Sequence, residues 1–204
     1  MKIKRMQKNK NRKRRSKEER IIAATLKLAK SNSWKNISMK IISEEAKIPL
    51  GEIIKILPTK TAVLIEFNRL VDKRLSENNH NIEETANPRD LLFEILMERF
   101  DILNENKEAL VNIMKSIAKE SPVTGIIGII SSLQSINRIM EICAIPNRGL
   151  LGKFRLKAVF AIYLKAMYCW LEDDTPGLSK TMADLDKSLT RLEVLLSRLS
   201  PTNL

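Results

Sequence analysis

Histidine, cysteine and glycine are scarce in this chain of 204 residues, and their scarcity excludes several kinds of site. The single histidine, His80, lies in a polar stretch without the spacing of a catalytic triad or a metal site. Cys143 and Cys169 lie far apart in apolar segments, which favours core thiols in a reducing compartment over a disulfide or zinc framework. The six glycines form no phosphate-binding loop. The sequence therefore predicts neither an enzyme nor a cofactor or metal site.

Long apolar runs and strand signals are also lacking. The longest nearly apolar run covers residues 158–171 and contains Lys165, whereas a membrane-spanning helix needs about 20 apolar residues. No stretch shows sustained alternation of apolar and polar residues, and no Asn-Gly or Asp-Gly hairpin signal occurs. The first residues carry no apolar segment, which argues against a secretory or transit signal. We therefore expect an all-α protein in the cytoplasm.

The positive charge of the chain is concentrated at its start. The net charge is +12, and residues 1–20 hold eleven Lys or Arg against only Glu18 and Glu19. The rest of the chain is nearly neutral. A basic arm of this kind is attracted to any polyanion, including DNA, RNA and an anionic membrane surface. The alternative is a solvated tail that only aids solubility.

Residues 20–64 show the apolar spacing of three short helices. Polar or small residues interrupt this spacing at 31–33 and at 47–49. In a helix-turn-helix unit the second helix braces the third, which enters the major groove of DNA. We expect a phosphate contact from the hydroxyl that caps the second helix, base contacts from the third helix, and backbone contacts from lysines and the arm. The predicted DNA-binding residues are Arg12, Lys13, Arg14, Arg15, Lys35, Ser38, Lys40, Leu50, Gly51, Lys55, Thr59 and Lys60.

The remainder of the chain reads as longer helices. Thr59 is expected to cap a helix that runs to about residue 76, a linker follows at 77–86, and Asn87 with Pro88 opens the next helix. Further helices are predicted over residues 106–119, 123–143, 150–171 and 175–199. The predicted units are a basic arm at 1–16, a DNA-binding domain at 17–64, and a helical ligand-binding and dimerisation domain at 65–200.

Five of the nine aromatic residues lie in the helix predicted over residues 150–171. Together with apolar residues of the helix that begins at Pro88, they could line a cavity for a small apolar ligand. At helical spacing the same residues also suit a core or a dimer interface, so both interpretations stand. The predicted ligand-binding residues are Met97, Phe100, Phe160, Tyr163, Met167, Tyr168 and Trp170.

Leucines and one methionine alternate by four and three residues along the last predicted helix, which is typical of close helix pairing. Two copies of the chain could pair through this seam as a homodimer, and the alternative is packing within one chain. Just before it, Glu172, Asp173 and Asp174 are interpreted as a solvated helix end rather than a cation site. The predicted dimer residues are Leu178, Met182, Leu185, Leu189, Leu192 and Leu196.

With these residues identified, the chain resembles the TetR-type transcriptional regulators. The pattern of the family's first helix is similar at residues 21–28, the aromatic after it at Trp34, and the hydroxyl that opens the second helix at Ser38. The turn corresponds to residues 46–49, and the closing Ser-Lys pair to residues 59–60. The resemblance implies an N-terminal helix-turn-helix and an all-helical body that binds a ligand and dimerises.

The third helix departs from the family's pattern. Ile54, Ile56 and Leu57 occupy the positions where the family usually has a Tyr and a His-Phe pair. Glu52 adds a negative charge to the same helix, where it would repel phosphate. Lys55 is therefore the main DNA donor expected on this helix.

A second resemblance concerns the C-terminal body. Residues 89–103 and 170–189 are similar to a narrower branch that includes the lipid-binding accessory proteins of ubiquinone biosynthesis, which share the TetR-like fold but bind isoprenoid lipid instead of DNA. The leading hypothesis is a ligand-responsive homodimer that binds double-stranded DNA. The alternatives are such an accessory protein with an isoprenoid ligand and no specific DNA binding, and a non-specific nucleic-acid protein that acts through its arm alone.

Overall fold

A computed structural model of the chain describes residues 16–78 and 87–199. Every regular element in these two ranges is helical, which confirms the all-α prediction. None of the helices in the same ranges is long and apolar enough to cross a membrane. The helices are α1 Lys17–Ser31, α2 Met39–Ala46, α3 Leu50–Ile56, α4 Lys60–Asn78, α5 Pro88–Asn104, α6 Lys107–Glu120, α7 Pro122–Ile142, α8 Gly149–Leu171 and α9 Ser179–Leu199.

The helix starts have local causes in the sequence. Ser16 and Glu19 form a reciprocal capping box at the start of α1, so two exposed backbone donors find partners. The Ser38 hydroxyl accepts the Ile41 N–H at the start of α2, as predicted. Asn87 caps α5, and the helix begins with proline at its first position. The predicted order and approximate bounds of the helices are therefore confirmed.

The turn between α7 and α8 depends on two glycines. Gly149 has φ of +70°, a left-handed conformation that side chains disfavour. Gly152 lies against the preceding turn so closely that a Cβ atom would come 2.4 Å from the carbonyl carbon of Asn147. Because backbone cannot yield as a side chain can, this approach admits only glycine.

The connection between α8 and α9 corrects two predictions. The last helix starts at Ser179 rather than at Thr175, because Pro176–Leu178 forms a 3-10 turn in which Gly177 has φ of +66°. Asp173 is also not part of a solvated helix end, since it is buried. One of its oxygens accepts the Thr175 N–H and hydroxyl, and the other accepts the Thr181 N–H and hydroxyl, each at 2.7 Å.

These hydrogen bonds set the charge state of Asp173. Burial by itself raises the pKa of the carboxyl group, but the bonds from Thr175 and Thr181 outweigh it and hold that pKa well below its usual range. The carboxylate therefore stays ionised and fastens the start of α9. Its neighbour Asp174 is exposed, as the sequence analysis expected of the whole cluster.

The leucine seam of α9 lies in the core of the same chain. The helix packs against α8 and α5, and the seam leucines are almost completely shielded from solvent. They therefore cannot form the contact between two copies that the sequence analysis assigned to them, and the alternative of packing within one chain is the correct one. Met182 is the exception, with 43% of its surface exposed. The corrected residues are Leu178, Leu185, Leu189, Leu192 and Leu196.

The expected core role of the cysteines is confirmed for Cys143. Its side chain is buried, and burial raises the pKa of the thiol to about 12, so the thiol stays protonated and unreactive. Cys169 is partly exposed, and neither cysteine is in a disulfide.

Some predictions fall outside the described residues. The arm residues Arg12, Lys13, Arg14 and Arg15 precede residue 16, and most of the predicted linker, including His80, lies in 79–86. The proposed roles of these residues remain predictions.

Candidate nucleic-acid interface and ligand cavity

Helix α3 turns one face into the protein and the other to solvent. Ile53 is completely buried and Leu57 nearly so, and both pack into the core that α1 and α2 share. Gly51 and Lys55 on the opposite face are exposed, and so is Leu50 at the start of the helix. A recognition helix must have this orientation, because its outward side chains have to reach base edges.

The outward face also carries exposed apolar side chains. Ile54 on α3 is 46% exposed, and Ile41 on α2 is 38% exposed. Solvent-exposed isoleucine gains nothing in the isolated protein, but apolar side chains in the major groove contact the methyl group of thymine. At the position where the resembled family usually has Tyr, this chain thus presents the apolar side chain of Ile54.

The turn between α2 and α3 is held in place by α1. Lys47 ends α2 in the left-handed conformation, with φ of 54°, at the position where the resembled family has glycine. The guanidinium group of Arg20 donates to the carbonyl oxygens of Ala46, at 2.8 Å, and of Lys47, at 3.2 Å. These bonds fix the angle between α2 and α3 despite the strained residue.

The predicted phosphate contacts lie at the rim of α2 and α3. Lys35, Ser38 and Lys40 are exposed, and Ser38 keeps a lone pair and a hydrogen beyond its capping bond. Glu52 forms an ion pair with Lys17, the first residue of α1. The repulsion expected between Glu52 and phosphate is thus offset within the protein.

Thr59 and Lys60 serve the start of α4. The Thr59 hydroxyl accepts the Ala62 N–H at 3.0 Å, which caps the helix as predicted. The Lys60 ammonium donates to the Trp34 carbonyl oxygen at 2.5 Å and lies 4.7 Å from the centre of the Trp34 ring. Lys60 therefore joins α4 to the turn after α1. This role was not predicted from the sequence, which indicated only a phosphate contact for Lys60.

A cavity of about 440 Å³ lies in the helical body between α4, α5, α6, α7 and α8. Its walls are mainly apolar, and it falls within the size range of small-molecule sites. The lining residues include Thr61, Leu64, Ile65, Phe67, Asn68, Arg99, Leu103, Leu110, Ile113, Met114, Ile117, Thr124, Ile127, Ile129, Ser131, Tyr163, Leu164, Met167 and Trp170.

One wall of the cavity is polar. The Arg99 guanidinium, only 1% exposed, donates to Asp72 at 2.6 Å, to the Asn68 side-chain oxygen, and to the Tyr163 hydroxyl at 3.2 Å. The second oxygen of Asp72 accepts from Ser135 at 2.7 Å and from a further arginine of α7, Arg138. This network joins α4, α5, α7 and α8 beside the cavity.

The structure supports part of the predicted ligand-binding set. Tyr163, Met167 and Trp170 line the cavity. Phe100 lies behind them, completely buried, with its ring 5.6 Å from that of Tyr163. The remaining three predicted residues do not line it: Met97 is buried elsewhere in the core, Phe160 is partly buried, and Tyr168 is exposed on the outer side of α8.

The cavity walls supplied by α4, α6 and α7 were not predicted from the sequence. The strongest signal for them is the start of α7, where Ile126, Ile127, Ile129 and Ile130 are apolar all round the helix although none of the four is buried. The buried charge of Arg99 is not predictable from the sequence, because its partner Asp72 is remote along the chain.

Similarity to known proteins was found at the level of structure. No protein-family model and no curated protein sequence matches the chain. A TetR transcriptional regulator from Nitrosomonas europaea superposes with a TM-score of 0.71 at 16% identity, over 87% of this chain and 98% of that one. A TetR transcriptional regulator from a Rhodococcus species superposes with a TM-score of 0.60 at 15% identity, over 87% and 98%. The chain has the TetR fold.

The TetR fold accounts for the arrangement described above. Helices α1 to α3 form the helix-turn-helix unit, and α4 to α9 form the body that contains the cavity. The sequence resemblance to this fold is thus confirmed over most of the chain, although the short motifs that suggested it occupy little of its length.

Proposed function

We propose that the protein is a ligand-responsive, homodimeric transcriptional regulator that binds double-stranded DNA and acts in the cytoplasm, without enzymatic activity. The observation that carries the proposal is the orientation of α3, whose outer face is exposed while its inner face is fixed in the core. The TetR fold supports it, because regulators are the proteins with which the chain shares that fold.

Base recognition is assigned to the outer face of α3. Leu50 and Ile54 would contact thymine methyl groups, and Lys55 would donate to guanine. Lys35, Lys40 and the arm residues would neutralise phosphates and fix the register of the protein on the duplex. Because only one strong donor faces the bases, we expect half-sites that are rich in A·T pairs at the contacted positions.

Dimerisation is assigned to the outer faces of α8 and α9, since the leucine seam lies in the core. Phe154, Ala161 and Tyr168 are exposed at spacings that place them on one side of α8. Met182 and Leu195 add exposed apolar surface on α9. A two-fold dimer would present two copies of α3 to half-sites about 34 Å apart.

We assign ligand response to the cavity because two helices that line it, α4 and α6, also contact the helix-turn-helix unit. Thr61 lies on the cavity wall next to Lys60, which holds Trp34, and its hydroxyl is 3.4 Å from that of Thr124 on α7. On the other side, the Asn112 amide of α6 donates to the last carbonyl oxygens of α1. A ligand that changes the spacing of α4 and α6 would therefore turn the DNA-reading unit, and a coupling of about 1–3 kcal/mol suffices for a switch.

Selection from random duplexes tests the proposal. The purified protein is expected to enrich a pseudo-palindrome with two A·T-rich half-sites, and the variant Ile54→Ala should bind it more weakly by about 1–2 kcal/mol, because it buries less apolar surface. Exchange of the four arm cations Arg12, Lys13, Arg14 and Arg15 for glutamine should weaken binding but keep the preference, whereas an arm-only binder would lose all affinity. A pool without any enriched sequence would contradict the proposal.

The lipid-binding alternative receives no support from the comparisons, since the structures that the chain resembles are those of transcriptional regulators. Its DNA-binding prediction is opposite to ours, so the same selection decides between the two.

A further inference from the structure

The described wall of the cavity presents no available charge to a ligand. Among the described residues that line it, Arg99 is the only Asp, Glu, Lys, Arg or His residue. Its guanidinium group is almost completely shielded and already donates to Asp72, Asn68 and Tyr163. Within this described wall, a ligand carboxylate would therefore find no free cation, and a ligand ammonium group would find no carboxylate.

Several polar side chains of the wall are paired with one another. The hydroxyl groups of Thr61 on α4 and Thr124 on α7 lie 3.4 Å apart. The Asn68 amide on α4 donates to the Ser131 hydroxyl on α7 at 2.9 Å. Because buried polar groups need a partner and these groups find one within the protein, they do not require a polar ligand.

The apolar character of the wall continues to the surface of the protein. The side chains that both line the cavity and are exposed include one from each of α4, α6, α7 and α8, namely Ile65, Met114, Ile129 and Leu164. Exposed apolar surface beside a cavity is typical of a ligand-binding site. An apolar chain gains free energy by leaving water for such a site, whereas a charged group loses its hydration there without gaining a partner.

We infer that the cavity selects an uncharged apolar molecule and excludes carboxylates and amines that have the same hydrocarbon chain. The hydrocarbon would contact Leu64, Ile127 and Met167, which line the cavity and are only partly buried. The inference deepens the proposed function by naming the chemical class of the effector. It rests on that proposal only in treating the cavity as the effector site.

Competition for a bound fluorophore tests the inference with three probes of equal chain length. N-phenyl-naphthylamine is bound to the full-length protein near neutral pH and displaced with methyl nonyl ketone, undecanoate or undecylamine, each below the concentration at which it forms micelles. The ketone is expected to act at a concentration at least about tenfold lower than either ion, because a buried charge without a partner is strongly unfavourable.

The pH dependence of the acid distinguishes exclusion of charge from exclusion by shape. If only the neutral form of undecanoic acid binds, its apparent affinity should rise by about tenfold for each pH unit toward the pKa of the acid, because apparent affinity follows the fraction of the binding form. The ketone does not titrate, so its affinity controls for any effect of pH on the protein.

A change of the wall provides the reciprocal test. Met167→Glu introduces a carboxylate in a side chain of similar length, and Met167→Gln is the matched control without the charge. Relative to the ketone, undecylamine should bind about tenfold or more tightly to Met167→Glu than to the wild type, because it gains a charged hydrogen-bond partner. Met167→Gln should show no such gain.

Three results with the wild type would overturn the inference, whether or not the variants fold: either ion binding as tightly as the ketone, an affinity of the acid that does not change with pH, or no binding of the fluorophore. An equal gain for the amine in both Met167 variants would do the same.

The duplex selection is scored separately on the same preparation. An enriched palindrome combined with any of these contrary results would refute the ligand class and leave the regulator. Selective binding of the ketone without an enriched sequence would refute only the regulator.

Discussion

At the scale of single residues, Asp173 shows how one side chain fixes a helix junction. Its carboxylate receives four donors from Thr175 and Thr181, and it lies between the end of α8 and the start of α9. Lys107 from α6 donates to its backbone carbonyl oxygen at 2.7 Å. Asp173 therefore connects three helices. In the sequence it is distinguished from its acidic neighbours Glu172 and Asp174 by nothing local.

Asp173→Asn is expected to lower the free energy of unfolding by about 2 kcal/mol near neutral pH, because an amide cannot accept all four donors. The folded-state pKa of Asp173 is lowered, so its contribution is complete above about pH 4 and disappears as the pH falls. Urea unfolding at about pH 7 and at about pH 3 should thus show a smaller acid-induced loss for the variant than for the wild type.

The control for this measurement is Asp174→Asn, which makes the same change at an exposed neighbour. It should unfold like the wild type at both pH values. Equal behaviour of the two variants would show that the buried hydrogen bonds of Asp173 do not stabilise the fold.

At the scale of helices, the network around Arg99 holds the body together. Arg99 lies on α5, Asp72 on α4, Ser135 on α7 and Tyr163 on α8, so four helices share one set of charged hydrogen bonds. Breaking a buried pair by removing one partner leaves an unbalanced charge, which costs far more than the loss of a surface pair.

Arg99→Met should therefore lower the free energy of unfolding by about 3 kcal/mol, as measured by urea titration. Arg74→Met is the matched control, because Arg74 pairs with Glu105 at the surface and such pairs contribute less than about 1 kcal/mol. Comparable losses in the two variants would contradict the role assigned to the network.

The positions of the helices were predictable from the sequence, but the neighbours against which their apolar faces pack were less predictable. N-cap residues such as Ser38 and Asn87 indicate where helices start, so the order of the helices follows from short-range sequence signals. The leucine repeat of α9 marks a packed face equally well, but a repeat does not state whether its partner is α8 or a second copy. The same limit applies to the cavity, whose walls combine residues from helices remote in sequence, such as Leu64 and Trp170.

At the scale of the whole molecule, the basic charge is concentrated at the start of the sequence and is joined by exposed lysines of the helix-turn-helix. The first 20 residues hold eleven of the 36 Lys and Arg residues, and the exposed lysines Lys35, Lys40 and Lys55 lie on the helix-turn-helix. If about six cations contact phosphates, a plot of the logarithm of the binding constant against the logarithm of the salt concentration should have a slope of about −5.

Lys40→Gln should make this slope shallower by about 1 and weaken binding to all sequences alike, as expected of a phosphate contact. Fluorescence anisotropy with the selected duplex at several salt concentrations measures the slope. Lys187→Gln removes the same charge from an exposed position on α9 and should leave the slope unchanged. An equal change in both variants would indicate that only net charge matters.

The hydrogen bonds from Asn112 to the end of α1 have a consequence for exchanging helix-turn-helix units between proteins of this fold. Helices leave their last carbonyl groups unsatisfied, and here an amide from the helical body donates to two of them, those of Ala29 and Lys30. A DNA-reading unit transplanted from another protein of this architecture would arrive without that partner unless the recipient's α6 offered a donor at the same height. Exchange of the helix-turn-helix unit alone is therefore expected to weaken this joint wherever the recipient's α6 lacks the donor.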